Sequence, residues 1–573
     1  MSFAELKSTR RPKSYVVSST SHPTISALGE QSVEPSLAHE NDGAGFEQAI
    51  SAKGMYSALP VYVEVRHSEV NGRGVWTKSP IKAGSVIFVT RPYASALSTP
   101  NLLSYCSSCF ASSSNDSMSR CTKCRIAHYC DSTCQTNDWA IHKFECTSLE
   151  NWDQAAPSSD IAPPSDAVRC LSRMLWKTRK RGFDTIQARE IANMQSHRLS
   201  LKPSAFETHT YLAHSLVQYM GLTSPADMAQ YSLLSAADLV DTISRFVTNT
   251  FTVTDPTLIP LGAVVSPVVA LINHSCDPNA VVVFPRVSTD QKTQEPLMQI
   301  LTSYIDVTLP THLRQQSLNE TYHFNCLCHL CTTVDTVDLR AALNCPKNCD
   351  GLCHLPNDDS ENILVRCAKC KSVVKSVGAA LDARRVGKEG LEKASGLQMK
   401  DPEKSLQLTT NLIPILSSAG FTPSSYPLLG LTRLHQQLVT ASFQSPLTQE
   451  HLDETIRIAT KNATGITALY REGHPVLALA LAELGKLLAV DEPSPRATDS
   501  PMIYPPSGLP RLKLAYENLL RARKMLLIGF GVANEGGQVG KEVREMLVAL
   551  EKEIGVFKQG VRNVLQDTPK LKA

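Results

Sequence analysis

Long apolar runs are missing from this chain. Nowhere in its 573 residues do eighteen uncharged apolar residues follow one another, which excludes a membrane-spanning helix in this sequence. The N-terminal stretch MSFAELKSTRRPKSYVV has no apolar h-region, so no secretory signal is expected. Strong charge of either sign is missing too. The formal balance is only +3, and the one dense basic run, Lys177-Thr178-Arg179-Lys180-Arg181, reads as a solvated helix end. Direct nucleic-acid binding is therefore not expected. Residues 1–58 have few aromatics and no sustained period, and are rich in Ser, Glu, Gly and Ala. That composition buries too little to offset the entropy of ordering, so a disordered tail is expected.

What the chain does hold is cysteine in groups. Fifteen of its seventeen cysteines cluster tightly. The densest run is Cys106-x2-Cys109, Cys121-x2-Cys124, Cys130-x3-Cys134 and His142-x3-Cys146. Zinc takes four soft or borderline donors at about 2.0–2.3 Å, and eight ligands suffice for two tetrahedral sites. A disulfide framework would need an oxidising compartment, so thiolate-zinc sites, a reducing interior and a nuclear or cytoplasmic location are expected. Cys326-x-Cys328-x2-Cys331 supplies three more thiolates. These either leave a coordination position open or take a fourth ligand from afar, for which Cys276 is the candidate. Cys345, Cys349, Cys353 and Cys367-x2-Cys370 offer five donors to a ribbon-type site, or are loose reduced thiols. Cys170 stands alone and reads as a small core residue. Two all-thiolate zinc sites at −2 each and one mixed site at −1 would take the formal +3 to about −2.

The length predicts several domains. Order is expected from Val61-Tyr62-Val63-Glu64-Val65, a short alternating strand. A glycine turn at Asn71-Gly72-Arg73-Gly74 and a turn then strand over Ile81–Phe88 follow. Residues 166–247 read as helical, with Val168, Leu171 and Leu175 on one face. Strand signals return between Thr250 and Asp306. From about 376 the pattern is almost all helix, with stripes at Val543, Leu547, Leu550, Ile554 and at Leu512, Tyr516, Leu519, Leu520. Pro493 to Pro510 holds six prolines and reads as a linker or long loop. The loop Asn273-His274-Ser275-Cys276-Asp277-Pro278-Asn279 closes the apolar run Val268–Ile272. Its amides and imidazole must either satisfy their own backbone or face a polar ligand.

Three motifs in order now point to a family. The eight-ligand run, ending Trp139-x2-His142-Lys143-x2-Cys146, resembles a MYND finger, and the Asn273–Asn279 loop resembles the signature of SET-domain methyltransferases. The glycine turn at 71–74, Asn249-Thr250-Phe251-Thr252, Ser303-Tyr304-Ile305-Asp306 and the cysteine-rich Tyr322–Cys331 are similar to further SET and post-SET elements. The chain resembles the SET and MYND domain lysine methyltransferases over about 60–335, and more loosely to its end. The resemblance implies an α+β fold in which a small-sheet SET β-fold is split by an inserted MYND zinc finger and a helical insert. A zinc-bound post-SET segment and an all-α, TPR-like C-terminal domain would follow. The implied boundaries are tail 1–58, N-terminal SET part 59–105, finger 106–146, insert 147–248, core SET 249–310, post-SET 311–372 and helical domain 373–573.

The same resemblance implies roles. Interleaved zinc ions would be held by Cys106, Cys109, Cys130, Cys134 and by Cys121, Cys124, His142, Cys146. A third would join Cys276 to Cys326, Cys328 and Cys331. A fourth near Cys345, Cys349, Cys367 and Cys370 is expected from the ribbon-type spacing and not from the resemblance. S-adenosyl-L-methionine would be lined by Asn71, Gly72 and Arg73, held by Asn249, Asn273 and His274, and covered by Phe324. Tyr304 would stand at the transfer centre, orienting a lysine amine. Implied partners are histone or other lysine-bearing proteins and proline-containing peptides on the finger, which is otherwise a purely structural clamp; the chain would be a monomer. One departure stands out. SET domains carry an Ile-x-x-Gly-Glu-Glu turn before the tyrosine strand, whereas this chain runs Glu295–Tyr304 without it, after a long polar loop from Pro285 to Pro296. The residues thus leave open both an active enzyme and a catalytically impaired scaffold.

Overall fold

The computed structural model describes residues 55–567, except 58, 70–71, 113–117, 156–161, 285–297, 300–302, 334–336, 358–363, 443–446 and 495–503. Asn71, the loop from Pro285 to Pro296 and nearly all of the 1–58 tail thus lie outside the described residues. Alternation in the first ordered stretch gives an antiparallel hairpin, with Val63 opposite Thr77 and Ser68 opposite Gly72. It begins two residues later than the β-branched pattern at Val61 suggests, because Val61 is exposed and only Val63 turns into the core. After the turn at Gly84, residues 85–88 stay unpaired. The strand is confined to Val89–Thr90, whose partner is Met298–Gln299. A two-residue rung is therefore present just ahead of the tyrosine segment.

The central sheet has three strands, with Pro260–Val265 between Ala94–Leu97 and Thr250–Thr254. Being covered on both faces, its middle strand reads as a continuous apolar run. A Cβ on Gly262 would lie 2.1 Å from the Ala96 carbonyl oxygen, so glycine is what lets these strands close up. Helix Asp166–Arg181 packs on the sheet, Pro203–Met220 packs on that helix, and Ala236–Asn249 packs on Pro203–Met220. Ser165 and Ser235 cap two of them by accepting from Val168 and Asp238 N–H groups. Such caps contribute about 1 kcal/mol each. The basic run ends Asp166–Arg181, with Arg179, Lys180 and Arg181 exposed in its last turn. Cys170 is fully buried in the same core.

Beyond the short hairpin Ala342–Asn344/Leu352–His354, the described residues form seven helices from Val377 to Asp567, each packing on its sequence neighbour. Pro475–Ala489 packs closely on Leu509–Gly529, where a Cβ on Gly485 would meet Leu519 at 2.6 Å. Val543, Leu550 and Ile554 are buried as their spacing requires, and Leu547 packs partly against them. Leu519 is buried, but Leu520 points outward and is 39% exposed, since neighbouring helical positions differ by about 100° and only one can face the core. Pro510 is not linker: it sits in the first turn of Leu509–Gly529, where a missing N–H costs nothing. Among the described residues, no helix is long and apolar enough to cross a membrane.

Candidate active site and metal centres

Among the described residues, four sets of four donors converge, each with its ligand atoms within 4.8 Å of one another: Cys106, Cys109, Cys130, Cys134; Cys121, Cys124, His142, Cys146; Cys276, Cys326, Cys328, Cys331; and Cys345, Cys349, Cys367, Cys370. The separations identify the chemistry. Cys109 and Cys130 Sγ lie 3.6 Å apart, Cys121 and Cys146 3.7 Å, Cys276 and Cys331 3.5 Å. A disulfide needs about 2.05 Å. A tetrahedron of thiolates about 2.3 Å from zinc has edges of about 3.8 Å. The donor sets fit zinc.

In the finger, the sequence order Cys-x2-Cys, Cys-x2-Cys, Cys-x3-Cys, His-x3-Cys produces interleaving, because helix Ser132–Ala155 returns Cys134, His142 and Cys146 over both knuckles. His142 presents Nε2 3.6 Å from Cys124 Sγ, and its Nδ1 donates to Glu145 at 3.2 Å. That bond fixes the tautomer whose Nε2 lone pair is free for metal. Glu145 and Asp138, both buried, accept in turn from the buried Arg173. Burial alone would raise the Glu145 carboxyl, but Arg173 and His142 hold it down at about 2. Tyr129 completes the network by donating to Asp138 at 2.9 Å. The sequence reading missed this network. The His142-x2-Glu145 spacing on one helix face was a usable signal; Arg173, twenty-eight residues from Glu145, gave none.

Around the third set, a cavity of about 1070 Å³ gathers Gly72, Arg73, Asn249, Asn273, His274, Tyr304 and Phe324. Gly72 sits at φ +64°, a left-handed conformation that strains a residue with a Cβ. A Cβ on Gly74 would stand 2.5 Å from Asn273 Nδ2, so the glycine turn leaves the room that amide needs. Arg73 donates to the Asn193 carbonyl. Asn249 donates to the Gln195 and Arg245 carbonyls at 2.7 Å each, leaving its side-chain oxygen to accept. His274 is engaged at both ring nitrogens: Nδ1 accepts from the Tyr304 N–H at 3.1 Å, and Nε2 lies 3.2 Å from Cys276 Sγ. The imidazole therefore ties Tyr304 to the metal centre, and what it can offer a ligand is its backbone.

Tyr304 lies on a bend rather than at the end of a strand. Its hydroxyl donates to the Ile272 carbonyl, its ring is 4.8 Å from that of Tyr322, and burial holds its phenol above the ordinary value. The ring of Phe324 stands 6.1 Å from His274. Behind the thiolates, the fully buried Arg314 donates to Cys331 Sγ at 3.7 Å, as suits a cluster carrying negative charge. Gln315 clamps Cys326 through its N–H and carbonyl at 2.8 and 2.7 Å. The helical half also reaches the cavity: Tyr470 and His474, with rings 4.3 Å apart, form part of its wall, and Arg471 pairs with Asp277 of the Asn273–Asn279 loop. Nothing in the sequence near 470 announced this.

The family model described as MYND finger matches residues 106–146. Over 292 residues the chain is 30% identical to N-lysine methyltransferase SMYD2 of Rattus norvegicus, covering 48% of this chain and 62% of that protein. The Homo sapiens protein of the same name is 30% identical over 293 residues, with the same coverage of 48% and 62%. The finger and the matched stretch make the chain similar to the SET and MYND domain-containing proteins. N-lysine methyltransferase SMYD2-A of Danio rerio is 31% identical over 273 residues, 46% of this chain and 58% of the relative. The chain thus spans about three fifths of the length of the curated relatives it matches. That similarity accounts for the finger at 106–146. It leaves the cavity's contents and chemistry to be argued from the residues.

Proposed function

We propose that this chain is a protein-lysine N-methyltransferase using S-adenosyl-L-methionine, acting on histone or other lysine-bearing proteins. The observation that carries the reading is the single cavity in which the glycine turn, the Asn273–His274 pair, Tyr304 and Phe324 meet beside a thiolate cluster. The residues fit such a cofactor. Gly72 allows backbone close to a ligand, Phe324 offers an aromatic face to a flat ring, and Asn273 brings an amide for polar groups. When bound, the cofactor supplies a sulfonium methyl open to in-line displacement by a neutral amine.

The chain's own part is alignment. Tyr304, held through its N–H by His274 and through its hydroxyl by Ile272, narrows the space beside the loop. Its phenol, kept protonated by burial, would orient the incoming amine by a hydrogen bond. Tyr470 and His474 form a further part of the wall and help exclude water. In this reading the sheets and the Cys276 cluster form a SET fold split by finger and helical insert, and the helical half is a TPR-like stack bordering the substrate groove. The finger would take proline-containing peptides, and the protein would work as a monomer in nucleus and cytoplasm, with chromatin among its targets.

A second reading, a catalytically impaired scaffold, is favoured by one observation: the Tyr304 hydroxyl is already committed to the Ile272 carbonyl on a bend. Calorimetry with S-adenosylmethionine, followed by radiolabelled methyl transfer to histones and cell extract, separates the two. The enzyme reading expects a heat of binding and a signal reduced at least about 10²-fold in Tyr304→Phe. Binding with equal background signal from both proteins would favour the scaffold. No heat at all would refute the cofactor pocket.

A further inference from the structure

The set Cys345, Cys349, Cys367 and Cys370 lies outside the matched finger and away from the cavity, and its backbone repeats the finger's. In the finger, each Cys-x2-Cys is a knuckle with three marks. The first cysteine's carbonyl accepts from the residue after the second cysteine, Phe110 N to Cys106 O and Arg125 N to Cys121 O, both at 2.9 Å. That following residue is left-handed, at φ +61° for Phe110 and +58° for Arg125. The first cysteine's N–H then bonds onward, to Ala111 and Ala127 carbonyls at 2.8 Å.

Cys367-x2-Cys370 carries all three marks: Lys371 N to Cys367 O at 3.0 Å, Lys371 at φ +60°, and Cys367 N to Ser372 O at 2.9 Å. Cys345-x3-Cys349, one residue longer, keeps two of the marks, its Cys345 carbonyl accepting instead from Asn348 N–H at 2.9 Å. Asp350 after it sits at φ +57°, and Cys345 N bonds to Gly351 O at 3.1 Å. Lysine and aspartate in this conformation are disfavoured by roughly 1–2 kcal/mol each, a strain that metal binding can hold.

The two knuckles face each other. Cys345 and Cys370 Sγ are 3.4 Å apart and Cys349 and Cys367 Sγ 3.6 Å, again tetrahedral edges rather than sulfur–sulfur bonds. The Lys347 N–H points at Cys345 Sγ at 3.3 Å, and the Ser372 hydroxyl lies within 3.3 Å of Cys345 and 3.0 Å of Cys370, donors suited to thiolates. A Cβ on Gly351 would sit 2.5 Å from Cys367 Sγ, so only glycine lets the knuckles approach. Cys353, the fifth cysteine, is buried among apolar residues and is not part of the set.

We infer that Cys345, Cys349, Cys367 and Cys370 form a further structural zinc site, and that it clamps the helical half onto the cavity wall. The hairpin it stabilises is bonded to the helical half through the Leu343–Phe421 bridge and Asn344 N to Gly420 O at 2.8 Å. Arg340, just before it, accepts from Tyr426 N–H at 2.9 Å and donates to the Val307 carbonyl, three residues from Tyr304. The inference does not depend on the proposed activity.

Metal analysis of the full chain, purified reduced in zinc, tests it. Wild type and Cys353→Ala should carry one more zinc per chain than Cys370→Ser, four against three if every set is filled. Cobalt exchange should show the same loss in a tetrathiolate spectrum. Hydrogen exchange in Cys370→Ser should quicken at 342–344 and 420–426 and stay unchanged across 106–146, which also proves the variant folded. Equal zinc in wild type and Cys370→Ser, or exchange unchanged at 342–344, overturns the site or the clamp respectively. Should Cys370→Ser fail to fold, fewer than four zinc ions in the wild type would count against the site.

Discussion

Replacing Arg173 with methionine should unseat one zinc of the finger without touching a ligand. Arg173 is 9% exposed and serves two carboxylates, Asp138 and Glu145, that are 8% and 3% exposed. Methionine keeps much of the side chain's volume but strands both acids. Removing one partner of a buried ion pair costs about 3–5 kcal/mol. Part of that cost is relieved if Glu145 takes a proton or turns away, and either change weakens its hold on His142 Nδ1. Loss of such an outer partner lowers metal affinity about 10–100-fold, or about 1.4–2.8 kcal/mol. Competition with a chromophoric chelator should therefore show one zinc equivalent released at a roughly 10–100-fold lower chelator level. Glu145→Gln should do less, because a side-chain oxygen remains to accept from His142. The double variant Arg173→Met/Glu145→Gln should be sturdier than Arg173→Met alone. Wild-type zinc retention in Arg173→Met, or a double variant no better than the single one, would refute the argument.

Two further outcomes follow from the cavity. Burial lowers the His474 pKa from 6.5 to about 4, so between those values the unfolded chain binds a proton that the folded one does not. Stability should thus fall as pH drops through that window, by about 2 kcal/mol at pH 5 from this group. Urea midpoints at pH 7.5 and 5 should show the wild type losing more than His474→Asn, and equal losses would sink the assignment. Gly74→Ala, whose Cβ would press on Asn273, should cost about 1–3 kcal/mol and abolish cofactor binding, read by thermal shift and calorimetry. Full binding by Gly74→Ala would show that Asn273 plays no part in holding a ligand.

The metal sets were legible because coordination imposes short, countable spacings. Even Cys276 could be paired with Cys326, Cys328 and Cys331 once two unusual motifs were noticed. Helix stripes such as Val543 to Ile554 were legible for the same reason, periodicity being local. What escaped was long-range. Arg173 meets Glu145 only through helix packing, and Tyr470 and His474 reach the cavity from another domain. Leu520 and Pro510 show the limit of local rules: an apolar residue can fall off the stripe, and a proline can open a helix as readily as break one. The bend at Tyr304 was masked by its resemblance to a strand motif.

The cavity draws its lining from Tyr56 at one extreme and Val476 at the other. During synthesis the finger's donors are complete by residue 146 and their support by Arg173, while most of the chain is still to be made. The chamber is not complete by then, because its last wall leaves the ribosome some three hundred residues later. A product ending between helix Asp166–Arg181 and position 470 would hold the finger with its Arg173 support beside an unclosed basin.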